Sequence, residues 1–145
     1  MKHIQQMIEA HGGLDAVQTK YLRIENEPLM RLVIEVVSGP LRNGAYEVSV
    51  AHYGEQNGDA MRDPEITFLV TPSAAGWQWT PLTFLNDYLG AYQVTGEYDL
   101  TGTLTVADAK LQRELTQFAG VWDRNLKHQG FIEAFHRKYQ PQLPA

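Results

Sequence analysis

The sequence predicts an α+β fold: an antiparallel sheet of about five or six strands, one face covered by a long C-terminal helix and a short N-terminal helix. Three observations carry this expectation. Four consecutive segments between residues 21 and 70 alternate apolar and polar side chains with period two. From Thr105 the apolar positions return to steps of three and four. At the N-terminus Ile4, Met7 and Ile8 share one helical face, and Gly12-Gly13 supplies a stop.

The elements follow in order. A helix over residues 2–10, with a short turn at LDAVQ, caps the core. In YLRIENE, Leu22 and Ile24 oppose Arg23, Glu25 and Glu27. After Pro28, Met30, Leu32, Ile34 and Val36 lie opposite Arg31 and Glu35. Pro40 and Asn43-Gly44 mark a turn. In AYEVSVAHY, Tyr46, Val48, Val50 and His52 share a face, and in EITFLV, Ile66, Phe68 and Val70 do. Such alternation belongs to strands with one buried and one wet face. The aromatic stretch of residues 77–98 holds one or two more strands, its rings closing the core rather than forming a base-stacking platform. Thr105 and Asp108 resemble a capping box, followed by the stripe Leu111, Leu115, Phe118, Trp122 and Leu126. Gly130 ends or kinks this helix, FIEAFHRKY adds a turn or two, and residues 1–140 form one domain with a frayed tail at 141–145.

Asn57-Gly58 is a preferred pair for a two-residue hairpin turn. A plain hairpin centred there sets Val48 opposite Thr67 and Val50 opposite Glu65, core residues against wet ones. Directly paired residues share a face, so one arm must carry a bulge. Pro64 cannot donate to a ladder, which places the irregularity at about Met61 to Pro64.

Composition bounds the function. The 145 residues suffice for one domain, with 43% hydrophobic and 20% charged residues, in the ordinary globular range. There is no cysteine, which excludes disulfides and cysteine-based zinc sites. No apolar run approaches membrane-spanning length and the N-terminus carries no secretory signal, so a soluble, cytoplasmic protein is expected. The net charge of −5 is uneven. Residues 21–65 hold eight acids against four arginines, whereas residues 106–139 hold six bases against four acids. Neither part reaches the basic density of a dedicated DNA-binding domain.

The chemistry concentrates around the hairpin turn. His52, Tyr53, Glu55, Gln56, Asn57, Asp59, Arg62, Asp63 and Glu65 form a candidate binding cluster. Imidazole and carboxylates together suit a divalent cation, so His52, Asp59, Asp63 and Glu65 are candidate ligands for Mn²⁺, Zn²⁺ or Mg²⁺, with Glu55 as a general base. Asp63-Pro64-Glu65 is similar to the acidic strand of metal nucleases, but Thr67 stands where those sites place a lysine. The competing reading is a hydrogen-bonded turn with His52 at the core edge and no cofactor. No G-x-S-x-G, P-loop or G-x-G-x-x-G is present.

The runs YLRIENEPLMRLVIE (21–35), SVAHYGEQNGDAMRDPEITF (49–68) and PLTFLNDYLGAYQ (81–93) resemble an uncharacterised bacterial domain family associated with plasmids, conjugative elements and prophages. The string HY-x-EQNGD-x-M-x-DPE is the specific part, and the likeness covers about half the chain. The resemblance transfers no catalytic role. It implies a setting among accessory genes of mobile DNA. The leading expectation is therefore a non-enzymatic accessory protein that binds a protein partner through its acidic sheet and loops, with a host defence or DNA-processing complex as the partner class. A metal-dependent hydrolase or nuclease is the alternative, and a nucleic-acid binder using the basic C-terminal helix a third.

Overall fold

The computed structural model describes residues 1–141. Two short helices, α1 (Lys2–Ala10) and α2 (Leu14–Thr19), precede six strands in chain order. These are β1 (Leu22–Asn26), β2 (Leu29–Ser38), β3 (Tyr46–Gln56), β4 (Asp59–Thr71), β5 (Gln78–Asn86) and β6 (Ala91–Val94). They pair as an antiparallel meander in the order β1-β2-β3-β4-β5-β6. A separate hairpin, β7 (Gly96–Tyr98) and β8 (Leu104–Val106), leads into α3 (Ala109–His128) and α4 (Phe131–Tyr139). The α+β architecture read from the periodicity is the observed one.

Alternation decides which face is covered. Leu22, Ile24, Leu32, Ile34, Val48, Val50, Ile66, Phe68 and Val70 all point to the inner face, where α1, α3 and α4 seal them from water. α3 contributes Leu115, Ala119, Trp122 and Leu126, and α4 contributes Phe131, Ala134 and Phe135. The stripe expected from spacing is rotated toward Ala119. Phe118 is left 43% exposed, packing its edge on Phe84, because the small Ala119 lets the helix approach the sheet. The cap of α3 also differs from the expected box. Asp108 alone caps it, accepting from the Leu111 N–H at 3.0 Å, while Thr105 belongs to β8. α4 is a full helix of nine residues, because Gly130, with φ 88°, turns the chain and lets Phe131 and Phe135 re-enter the core.

The outer face is only partly covered. Leu69 and Leu82 pack there with Ala45 under Tyr98 and Leu104 of the β7–β8 hairpin, a small second core over one corner of the sheet. Among the described residues no helix covers the rest of the outer face, from β1 to β4. Trp79 meets Phe68 edge-on at 5.3 Å and packs on the main core, as expected, but Tyr88 and Tyr92 of the same aromatic stretch are exposed. Residues 142–145 of the expected tail lie outside the described residues.

Candidate functional site

The β3–β4 hairpin begins as the dipeptide requires. Asn57 (φ 53°) and Gly58 (φ 85°) both occupy the left-handed region, and Gln56 pairs with Asp59. From the tip the ladder runs in simple register to Tyr53 opposite Arg62. It then shifts, so that Ala51 faces Glu65 and Val50 faces Ile66. Asp63 and Pro64 together oppose the single residue His52. This bulge falls where parity demands one, and it restores the core pairing Val48 with Phe68.

Because of the bulge, the polar cluster is divided rather than gathered. His52 points inward. Its ring lies 5.5 Å from Trp122 and 5.4 Å from Phe131, and its Nδ1–H donates to the Met30 carbonyl at 3.1 Å. Burial holds the imidazole below its ordinary pKa, a shift that the Met30 and Arg31 carbonyls and Asp63 oppose. Tyr53, Arg62 and Glu65 point outward. The Arg62 guanidinium donates from Nε to Asp87 Oδ2 at 2.9 Å and from Nη2 to Oδ1 at 3.3 Å, and its backbone N–H donates to the same carboxylate at 2.8 Å. These bonds hold Asp87 below the usual carboxylate range. Glu65 sits 3.7 Å from Arg62 and accepts from the Ser49 hydroxyl at 2.7 Å. The Arg31 guanidinium lies over the Tyr53 ring, 5.3 Å from its centre. Burial, with Glu65 and Glu35 nearby, raises the Tyr53 phenol above its ordinary value.

Asp63 takes a third direction and accepts from Asn86 Nδ2 at 2.6 Å. Glu55, Gln56, Asn57 and Asp59 are exposed at the tip. The convergence of His52, Asp59, Asp63 and Glu65 expected for a metal therefore does not occur. Among the described residues no three His, Cys, Asp or Glu side chains gather as a metal-ligand set. Opposite strand parity separates His52 from Glu65, and the tip carries Asp59 away from both.

Sequence reasoning missed Asn86 and Asp87, which fasten the bulge from the β5–β6 turn. The turn-forming run Asn86-Asp87 before Gly90 was the available signal. It also missed the extent of the uncovered outer face. By register that face carries Glu25, Glu35, Glu47, Glu55 and Glu65 against Arg23, Arg31 and Arg62. Arg23 pairs with Glu25 at 2.8 Å and Arg62 with Asp87 and Glu65. Glu35, Glu47 and Glu55 make no ion pair among the described residues.

The opposite side of the molecule differs in sign. On α3, Lys110, Arg113, Arg124 and Lys127 are exposed and, at helical spacing, fall along one face. No described helix is long and apolar enough to cross a membrane.

No curated protein and no solved structure matches the chain. A family described as "Domain of unknown function (DUF6908)" matches residues 2–132, nearly the whole of the described fold, and the chain belongs to that family.

Proposed function

We propose that the protein is a non-enzymatic binding protein, an accessory factor of a mobile genetic element, that docks the uncovered outer face of its sheet onto a basic surface of a partner protein. The observation that supports this reading is the five glutamates and three arginines on a face no helix covers, with both Arg23 and Arg62 already ion-paired. Such a face presents net negative potential to solvent, and potential of one sign selects partners of the other. Proteins that handle nucleic acid present basic surfaces, so a host defence or DNA-processing complex is the partner class that fits. The mobile-element setting rests on the resemblance of the hairpin motif.

Affinity capture from a host extract tests the reading. The intact protein should retain a defined partner at low salt and lose it as salt rises. A Glu35→Lys, Glu65→Lys variant that folds should retain none of it. Retention unchanged by both substitutions would overturn the outer face as the docking surface.

A second reading is favoured by one specific observation, the alignment of Lys110, Arg113, Arg124 and Lys127 on α3. Such a row suits a phosphate backbone, with affinity that falls as salt rises. A gel shift with duplex DNA at low salt tests it, and Arg113→Ala with Arg124→Ala should abolish any shift. Absence of a shift at low salt ends this reading.

A further inference from the structure

We infer that the outer face contains a built receptor slot for a guanidinium group, an arginine side chain of the partner, where the β7–β8 hairpin folds over β3, β4 and β5. The inference rests on the reading of that face as a docking surface for a basic protein. A cavity of about 320 Å³ opens there, at the lower end of the ~300–1,000 Å³ typical of small-ligand sites. Its polar lining is Glu47, Thr67, Thr83, Tyr92, Glu97 and Tyr98, and no Lys, Arg or His takes part in the wall.

The slot is organised by a short hydrogen-bond chain. The Tyr98 phenol donates to Glu47 Oε1 at 2.6 Å, so Ser38 Oγ, 2.8 Å from the same phenol, must be the donor to Tyr98. Burial first, and then the bond to Glu47, raises the Tyr98 phenol, which keeps its proton on the donor. Glu47 is thereby fixed by one oxygen, while Oε2 takes no protein donor among the described residues. Thr67 and Thr83 hydrogen-bond each other across β4 and β5, which leaves oxygen lone pairs available above the floor. Backbone bonds pin the hairpin in place at both ends: the Thr95 N–H donates to the Leu82 carbonyl at 2.8 Å, and the Asn43 N–H donates to the Thr101 carbonyl at 3.1 Å.

The chemistry selects the occupant. Two carboxylates and several hydroxyl oxygens are acceptors that no cation among the described residues satisfies. Two tyrosine rings border them. A planar guanidinium offers five N–H donors in one fork and stacks on aromatic rings, whereas an ammonium is a point charge that does neither as well. Tyr92 is 64% exposed on β6, so the slot is reached from the sheet edge. An arginine on the partner's surface can enter without unfolding either protein.

Titration of the isotope-labelled full chain with a short tri-arginine peptide, followed by amide chemical shifts, tests the slot. Saturable shifts at Leu82, Thr83 and Gly96–Tyr98 are expected. The twin peptide with citrulline in place of arginine, equal in shape and uncharged, should leave these amides unmoved. Glu47→Gln should weaken binding about tenfold, the worth of one charge-assisted bond. Glu97→Gln, at an exposed position, should also weaken it and guards against loss of fold in the first variant. Shifts scattered around Glu25, Glu35 and Glu55, unaffected by Glu47→Gln and Glu97→Gln, would overturn the slot while leaving the acidic docking face standing. Partner capture that fails while the peptide still fills the slot would overturn the docking reading alone. Absence of any shift would overturn the slot.

Discussion

Asp123 is 3% exposed on α3, yet its partners lie at the other end of the chain. Its carboxylate accepts the backbone N–H groups of His3 at 3.0 Å and Ile4 at 3.1 Å, and pairs with His3 Nδ1 at 2.9 Å. It thereby caps α1, whose own N-cap residue Met1 offers no side-chain bond. Asp123→Ala strands two N–H donors and should cost about 2–3 kcal/mol in urea unfolding; a loss under 0.5 kcal/mol would mean that water replaces the carboxylate. No periodicity could reveal this role, because the signal is an acid in an apolar stripe and the partner is 120 residues away. His52 was the opposite case. Its place in the inward register with Tyr46, Val48 and Val50 was legible from parity, and the structure seats it against Trp122. Because burial lowers its folded pKa below the unfolded value near 6.5, the unfolded state binds the proton first. The stability His52 contributes is therefore present above pH ~6.5 and is lost as pH falls through the interval down to its folded pKa. The melting temperature should drop across that window, and His52→Gln, which keeps a donor for the Met30 carbonyl, should flatten the drop. An unchanged pH profile in the variant would assign the effect to other groups.

At the scale of the element, the β3–β4 hairpin separates two kinds of information. The turn dipeptide and the clash of parity are both local, so the sequence places a bulge at about Met61 to Pro64, and it lies at Asp63-Pro64. The directions of its side chains are not local, because they depend on Asn86 and Asp87 arriving from another turn. Two glycines in this hairpin are constrained for different reasons, and substitutions tell them apart. A Cβ on Gly58 would meet nothing within 4 Å, so Gly58→Ala is penalised only through φ 85° and should cost about 1–2 kcal/mol. Gly54 has ordinary extended backbone, but a Cβ there would sit 2.5 Å from the Tyr88 hydroxyl and 3.4 Å from the Met30 thioether. Both obstacles are ends of flexible side chains, so Gly54→Ala should cost less than Gly58→Ala. Reversal of that order in denaturant titrations would show that the β5–β6 turn holds Tyr88 rigidly. The β7–β8 hairpin had no comparable signal. Each strand has three residues, too short for period two to emerge from the sequence.

For the whole molecule, the unequal treatment of the sheet's two edges makes the last helix a structural requirement. β6 is short and open, whereas β1 is closed by α4. The Arg23 N–H donates to the Tyr139 hydroxyl at 2.9 Å, and Lys138 Nζ donates to the Arg23 carbonyl. Blocking an edge in this way removes a template for pairing with other chains. The family match ends at residue 132, within the first turn of α4. Phe135 is nevertheless wholly buried, with Leu22 and Ile24 in the same core. A chain cut after residue 132 loses Phe135, whose removal alone is worth about 3–5 kcal/mol, and uncovers the β1 edge as well. Domains of this size are stable by only about 5–15 kcal/mol, so the loss consumes a large fraction of the whole. The 145-residue chain should unfold cooperatively in one transition. The 1–132 chain should melt far lower and elute as aggregates, because the β1 edge is then free to pair and the apolar side chains that α4 covered are exposed. If the 1–132 chain instead stays monomeric with an unchanged melting temperature, α4 is an appendage, and the core must be closed by α1 and α3 alone.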